Sequence, residues 1–219
     1  MVWHYNVLIG TYTLFSMMFL GLSLFRVSMK LKWAQVLLIS LFVSSLFSMI
    51  TMLFQTEQWN TLLIILTEAG LIHYLFRLRK LHSLLIVFLG SLGYTIYLAV
   101  VVFFAWSITF VPVDVYFEGM DTTYCYFKLA AATLACLTAG LLIKRRLGFT
   151  VRLEMHFSKF TRPQNPMLFH VFLFAFILFS TAYYTIHLKF TTVFYFVTCF
   201  CILLGWILYL LYRKEMEDI

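Results

Sequence analysis

The sequence predicts an all-α, polytopic integral membrane helix bundle, and its composition is the first reason. Hydrophobic residues make up 63% of the 219 residues and charged residues only 11%, whereas a soluble domain is about half apolar and a quarter charged. Apolar segments of membrane-spanning length recur along the chain, and basic residues cluster in alternate connections between them. We therefore expect about seven transmembrane helices in a single domain, 1–219.

Seven apolar segments are long enough to cross a hydrocarbon core of about 30 Å at about 1.5 Å per residue. They lie near 5–25, 34–54, 60–76, 83–109, 124–143, 167–187 and 190–212. The third segment is short, so Trp59 and a snorkelling Arg77 are expected to help it reach both interfaces. The sixth and seventh segments are separated by two residues, which predicts a tight hairpin.

The positions of lysine and arginine predict that the N-terminus lies outside and the C-terminus inside. All 16 of these residues except Lys128 and Lys189 fall between segments one and two, three and four, or five and six, or follow segment seven. The positive-inside rule makes these connections cytoplasmic. The predicted inner basic face comprises Arg77, Arg79, Lys80, Lys144, Arg145, Arg146 and Arg152.

The net charge of +7 is therefore explained by helix orientation in a bacterial cell membrane, and nucleic-acid binding is not expected. The first segment is expected to remain as a helix. Its basic residues follow the apolar run, and no small-residue cleavage site comes after it.

Glu68 lies in the middle of the short third segment. A charged side chain at mid-membrane costs roughly 2.5–3.5 kcal/mol on insertion scales, so Glu68 should face the bundle interior and be paired or protonated. Lys128 has a similar predicted depth in segment five, and a Glu68–Lys128 pair can form if the two helices touch. The alternative is a protonated Glu68 bonded to a hydroxyl, with Lys128 snorkelling outward.

Segment five carries small residues at a spacing of four, which lets helices approach closely in lipid. They are Ala131, Ala135 and Ala139 in one row and Ala132, Cys136 and Gly140 in the next. The pattern predicts that segment five is the central helix of the bundle or a homodimer contact.

Two connections are longer than a turn. The outer one, 111–123, contains a candidate ligand-binding set formed by Asp114, Tyr116, Glu118 and Asp121. The inner one, 144–166, is basic and is expected to lie at anionic headgroups. Within it, 149–157 alternates as a half-buried strand does, but its apolar residues also fit one stripe of an interfacial helix, and both interpretations remain open.

The chain contains no HExxH, GxSxG or P-loop motif, so catalysis is not expected. The four cysteines form no CxxC pair and no zinc spacing, and we expect neither a metal nor a cofactor. His73 lies near the inner end of segment three and is interpreted as an interfacial residue.

Two stretches resemble a known family. LIHYLFRLRKLHSLLIVFLGSLGYTIYL (71–98) looks like the mid-domain hairpin of the membrane sensor domain of accessory-gene-regulator-type, peptide-sensing histidine kinases, and ILYLLYRKEMEDI (207–219) looks like the exit of their last helix. The resemblance implies an outer peptide ligand and a signal carried inward. No phospho-accepting histidine segment or ATP-binding module follows Ile219, so we expect a receptor-like remnant, a partner subunit or the membrane part of a longer protein.

Three functions follow as hypotheses. The first is a non-catalytic, receptor-like sensory or regulatory subunit that relays an outer signal to a cytoplasmic partner. The second is a membrane subunit of a transporter in which Glu68 lines a polar path. The third is a scaffold or assembly factor whose Phe-rich helices pack against another membrane protein.

Overall fold

The computed structural model of the chain describes residues 2–27, 32–54, 60–78, 80–109, 122–148, 198–199 and 201–209. Every regular element in these ranges is an α-helix, as predicted. The five named helices are α1 (Val2–Leu24), α2 (Trp33–Phe54), α3 (Asn60–Phe76), α4 (Lys80–Thr109) and α5 (Thr122–Lys144). Residues 201–209 are also helical and are called the 201–209 helix below.

Four of these helices are long and apolar enough to cross a membrane. Their apolar stretches are Val7–Leu24, Trp33–Thr51, His82–Ala105 and Tyr124–Lys144, and α3 is a shorter apolar helix. The ends of α1 to α5 differ from those of the predicted segments by at most three residues. Segment six and the stretch 149–157 lie outside the described residues.

The helices α1 and α4 form the centre of the described bundle. Helix α1 packs against α2, α4 and α5, and α4 packs against α1, α3 and α5. Helices α2 and α3 also contact each other. Helix α5 therefore lies beside the α1–α4 pair and contacts both of its helices.

Two glycines explain why α1 and α4 occupy the centre. A Cβ atom at Gly21 would overlap the carbonyl oxygen of Ile86, and one at Gly90 would overlap the carbonyl oxygen of Met17. Gly21 thus touches α4 four residues before Gly90, and Gly90 touches α1 four residues before Gly21. This reciprocal pattern means that the two helices cross antiparallel. Glycine is required at such a crossing because any side chain would separate the backbones.

The main apolar core is built around this crossing. Its buried members come mostly from α1, α3 and α4, and they include Phe88, Leu89 and Leu92 of α4. Leu203 and Ile207 of the 201–209 helix belong to the same cluster. The 201–209 helix therefore packs on the bundle through one face.

Large apolar side chains of α2 and α5 point away from the bundle. On α2, the exposed residues include Leu37, Leu38, Leu41 and Phe42, and on α5 they include Leu137 and Leu141. Such broad apolar faces on membrane-length helices are suited to lipid, whereas a monomeric soluble protein rarely exposes contiguous apolar patches of this kind.

Candidate functional site

Glu68 is the only acidic residue in the described part of the chain, and its side chain is 1% exposed. Along α3 it stands between Ile65 and Ile72, both of which belong to the main core. The neighbouring residues Ile64 and Leu71 pack against a second apolar cluster formed by α1 and α2. Glu68 is therefore held in the interior, on a helix whose neighbouring side chains on the same face are apolar.

The carboxyl oxygen Oε1 of Glu68 has no hydrogen-bond partner among the described residues. Leaving a buried polar atom unpaired costs about 1–3 kcal/mol, and such atoms often mark a functional position. Chemically, a buried carboxyl can hold or transfer a proton or bind a polar group that enters the bundle.

The structure does not bring Glu68 and Lys128 together. Helix α5 packs mainly against α1 and α4, whereas α3 packs mainly against α4 and α2. The ammonium of Lys128 instead lies 4.3 Å from the ring centroid of Tyr124 on its own helix.

The small residues of α5 form its contact face with α1 and α4. Ala131, Ala132, Ala135 and Ala139 are fully buried against residues such as Leu20 and Tyr94. In the same predicted rows, Cys136 is half-buried and Gly140 is exposed. The alanine face therefore packs within the chain, and the exposed face of α5 remains available to lipid or to a second copy.

The second feature of the site is a basic end of the bundle. A short connection joins the end of α1 to the start of α2, so both lie at the same end of the bundle. The end of α5 lies there too, because a Cβ on Gly148, just after α5, would be 2.6 Å from the carbonyl oxygen of Leu24. Lys32, just before α2, donates a hydrogen bond of 2.8 Å to the carbonyl oxygen of Leu75 near the end of α3. The same end therefore gathers the described cations Arg26, Lys32, Arg77, Lys80, Lys144, Arg145 and Arg146.

Lys32 joins two connections that are distant in sequence. Besides its bond to Leu75, its ammonium lies 4.7 Å from the ring centroid of Phe76. The carbonyl groups in the last turn of a helix lack intrahelical donors and carry partial negative charge, so a lysine is well placed to cap them. Sequence reasoning missed this role because no spacing rule links position 32 to position 75.

Three arginines at this end share an unusual backbone conformation. Arg26, Arg77 and Arg146 have φ angles between 49° and 52°, in the left-handed region usually occupied by glycine. After α1, the amide of Val27 donates to Leu22 (3.0 Å) and that of Arg26 to Ser23 (3.1 Å). The equivalent bonds after α5 run from Leu147 to Leu142 (2.9 Å) and from Arg146 to Ile143 (3.2 Å).

These bonds define Schellman motifs with arginine at the position after the cap. A non-glycine residue there costs roughly 1–2 kcal/mol, whereas a cation near a helix C-terminus typically gains 0.3–1 kcal/mol. The interaction with the helix dipole does not by itself offset the cost of the left-handed conformation. Arginine therefore needs a further interaction to be favoured over glycine at these positions.

His73 completes the end of α3. Its ring Nδ1–H donates to the carbonyl oxygen of Leu78, which closes the connection to α4. The described residues contain no group of three or more His, Cys, Asp or Glu side chains placed to hold a metal. In the described geometry, His73 is thus a local cap on the α3–α4 connection.

A small polar cluster between α1, α4 and α5 was not predicted. The hydroxyl of Tyr12 lies next to the thiol of Cys136, and Thr13 lies beside Tyr94. The hydroxyl oxygens of Thr13 and Tyr94 are buried without completing a hydrogen bond to a described residue. Single polar residues inside apolar segments have no sequence signal that would identify such a cluster.

Several predicted residues lie outside the described part of the chain. They are Arg79, Arg152 and the outer candidate ligand set Asp114, Tyr116, Glu118 and Asp121. The described ends nearest to that outer set are the C-terminus of α4 and the N-terminus of α5, at Thr109 and Thr122.

Comparison of the chain with protein-family models, curated proteins and solved structures gave no significant match. The fold itself indicates the class of protein. Several long apolar helices around a glycine-mediated crossing, with one basic end, have the character of a multi-pass α-helical membrane protein.

Proposed function

We propose that this chain is a receptor-like regulatory subunit of the bacterial cell membrane, without catalytic activity of its own. It would span the membrane about seven times, with the N-terminus outside and the C-terminus inside. An outer ligand, a peptide by the resemblance to peptide-sensing histidine kinases, would contact the 111–123 connection. The 201–209 helix would pass the signal to a cytoplasmic partner.

The orientation is supported by the basic end of the bundle. Cations at the ends of α1, α3 and α5 and at the starts of α2 and α4 lie together. The positive-inside rule places such an end in the cytoplasm. The outer connection 111–123 then lies at the opposite end, where three of its side chains are acidic.

The observation that carries the proposed relay is the packing of the 201–209 helix. Leu203 and Ile207 share one apolar cluster with residues 85–89 of α4 and with Ile65 and Ile72 of α3. The outer connection directly follows α4. A ligand that shifts the outer end of α4 would therefore disturb the cluster on which the 201–209 helix rests, because packed interiors respond as connected units.

The test measures whether an outer signal moves the 201–209 helix. Spin labels are attached at Tyr209 and Leu141, both exposed, in a background with the four native cysteines replaced. The distance distribution is measured with and without conditioned medium as the ligand source. We expect a shift that is lost when Asp114, Glu118 and Asp121 are replaced by asparagine or glutamine.

A matched variant separates relay from ligand binding. The double variant Leu203→Ala/Ile207→Ala should weaken the contact of the 201–209 helix with the core. It should remove the shift in the spin-label distance distribution, while the protein still retains the ligand. A shift that survives neutralisation of the three outer acids would contradict the sensor proposal.

Glu68 favours a transporter subunit as the second candidate. A buried carboxyl with an unpaired oxygen is the kind of group that lines ion and proton pathways in membrane proteins. Under this alternative, Glu68→Gln should abolish transport and leave the binding of a partner subunit intact. Unchanged transport in that variant would remove the alternative.

A further inference from the structure

Acidic residues are sparse in the sequence around the basic end of the bundle. The connections 25–33 and 76–82 contain no aspartate or glutamate, and Glu154 is the one acidic residue of the connection 144–166. None of the helices α1 to α5 has an acidic residue in its first turn. The partial positive charges at the starts of α2 and α4 therefore add to the charges of the side chains there.

Most of these cations are free to meet an external group. Arg26, Arg77, Lys80 and 144–146 are exposed, whereas Lys32 is half-buried and engaged with α3. The three arginines in the left-handed conformation occupy equivalent positions one or two residues beyond the ends of α1, α3 and α5. They thus form a set at a common level of the bundle.

In a chain that spans the membrane through these helices, lipid phosphates would lie at that level. The apolar stretches that precede the arginines end at Leu24, Phe76 and Lys144, so each arginine follows directly on a segment suited to the hydrocarbon core. Headgroup phosphates lie at this boundary, within reach of a side chain that leaves the helix end. A cytoplasmic protein would have to approach the membrane surface itself to make the same contacts.

We propose that the basic end binds the phosphate groups of anionic glycerophospholipids through Arg26, Arg77 and Arg146. A guanidinium pairs with phosphate through two parallel hydrogen bonds and is more weakly hydrated than an ammonium, which makes arginine the better residue for this role. The binding supplies the interaction that favours arginine at a position where glycine would be less strained. The proposal is independent of the receptor function and of which leaflet the basic end faces.

The test uses the full chain in nanodiscs of phosphatidylcholine, with and without phosphatidylglycerol. Lipid retained after extraction is identified by mass spectrometry, and Tm is followed by tryptophan fluorescence. We expect phosphatidylglycerol to be enriched over its share of the bilayer, to raise Tm by several degrees, and to lose its enrichment at high ionic strength.

The decisive variant is R26G/R77G/R146G. Glycine is the residue that this backbone conformation prefers, so the variant removes three charges while keeping the helix ends. Removing one charge near an anionic surface should lower the binding about five-fold, so we expect the enrichment to fall by at least about this factor when three charges are removed. In phosphatidylcholine alone, Tm should stay equal or rise. R26K/R77K/R146K keeps the charge and should keep most of the enrichment.

Three results would overturn the proposal. One is equal phosphatidylglycerol enrichment in the wild type and in R26G/R77G/R146G. The second is an absence of enrichment in the wild type, which would leave a protein as the partner of this surface. The third is enrichment that does not change with ionic strength, which would mean that the lipid is not held by its charge. The ionic-strength measurement uses the wild type, so it remains decisive if the glycine variant does not fold.

Discussion

At the scale of single residues, Glu68 is the described residue whose burial costs the most free energy. Its side chain is buried within the bundle, and Oε1 has no partner among the described residues. An ionised carboxylate in such surroundings would have no counter-charge among the described residues, so neutral groups of the same shape should be tolerated better than charged ones.

We expect Glu68→Gln and Glu68→Met to change the free energy of unfolding by less than about 1.5 kcal/mol, because each conserves volume without burying a charge. Glu68→Lys should lower it by roughly 2.5–3.5 kcal/mol, the insertion penalty of a charge at mid-membrane. Denaturation in mixed micelles measures all three. Equal damage from the methionine and lysine variants would mean that the carboxyl makes an essential hydrogen bond.

Lys32 is the second residue whose contribution can be isolated. Lys32→Met removes the hydrogen bond to Leu75 and the contact with the Phe76 ring. The expected loss of stability is about 1–3 kcal/mol, the range of a hydrogen bond from a charged donor with a cation–π contact.

Lys80→Met is the matched control for Lys32, because Lys80 is an exposed cation at the same end. Its effect on the denaturation midpoint should stay within about 0.5 kcal/mol, as for most surface substitutions. If both methionine variants lose the same stability, the loss reflects net charge and not the contact with α3.

The crossing of α1 and α4 decides the arrangement of the helices. Gly21 and Gly90 let the two backbones touch, and the alanine face of α5 then packs beside them. Helix ends repeat a local pattern as well: Leu-Phe-Arg at 24–26 and at 75–77 both place the arginine in the left-handed conformation. This likeness agrees with a shared topology of two inner hairpin corners.

Gly90→Ala adds only one methyl group but should be strongly destabilising. The added methyl would overlap the carbonyl oxygen of Met17, which belongs to the backbone and cannot move independently of α1. Overpacking of this kind costs about 1–3 kcal/mol, and a fall in Tm in detergent measures it.

Gly140→Ala is the matched control, because a Cβ at Gly140 meets nothing within 4 Å. Alanine there should leave Tm unchanged or slightly higher, since it is the better helix former. A similar fall in both variants would show that the α1–α4 contact is not what makes Gly90 essential.

The whole molecule is polarised between a basic end and the end that carries the outer connection. We predict that Leu147→Cys, at the exposed basic end, reacts with a membrane-impermeant maleimide only after cells are permeabilised. Glu57→Cys, in the connection between α2 and α3, should react in intact cells, because the proposed orientation puts this connection on the outer side. Both variants are made in a background without the four native cysteines.

Tags at the two termini complete this measurement. The proposed seven crossings would place them on opposite sides, so an impermeant reagent should reach only the N-terminal tag in intact cells. Reaction of Leu147→Cys in intact cells would reverse the orientation, and tags on the same side would exclude an odd number of crossings.

Composition, apolar segment length and the clustering of basic residues were enough to predict an all-α bundle and the helix positions. These properties depend on the transfer of each segment between water and lipid, which is additive along the chain. The burial of Glu68 follows from the same energetics, because a carboxyl is too costly to leave facing lipid. The alanine rows of α5 likewise marked a face suited to close packing.

Only the tertiary structure decided which helices touch. The crossing of α1 and α4 depends on the fit of Gly21 against Ile86 and of Gly90 against Met17. The contact of Lys32 with Leu75 and the left-handed conformation of the three arginines are likewise seen only in the tertiary structure. Lateral packing is a matter of shape between segments distant in sequence, and hydropathy and charge carry no information about that shape.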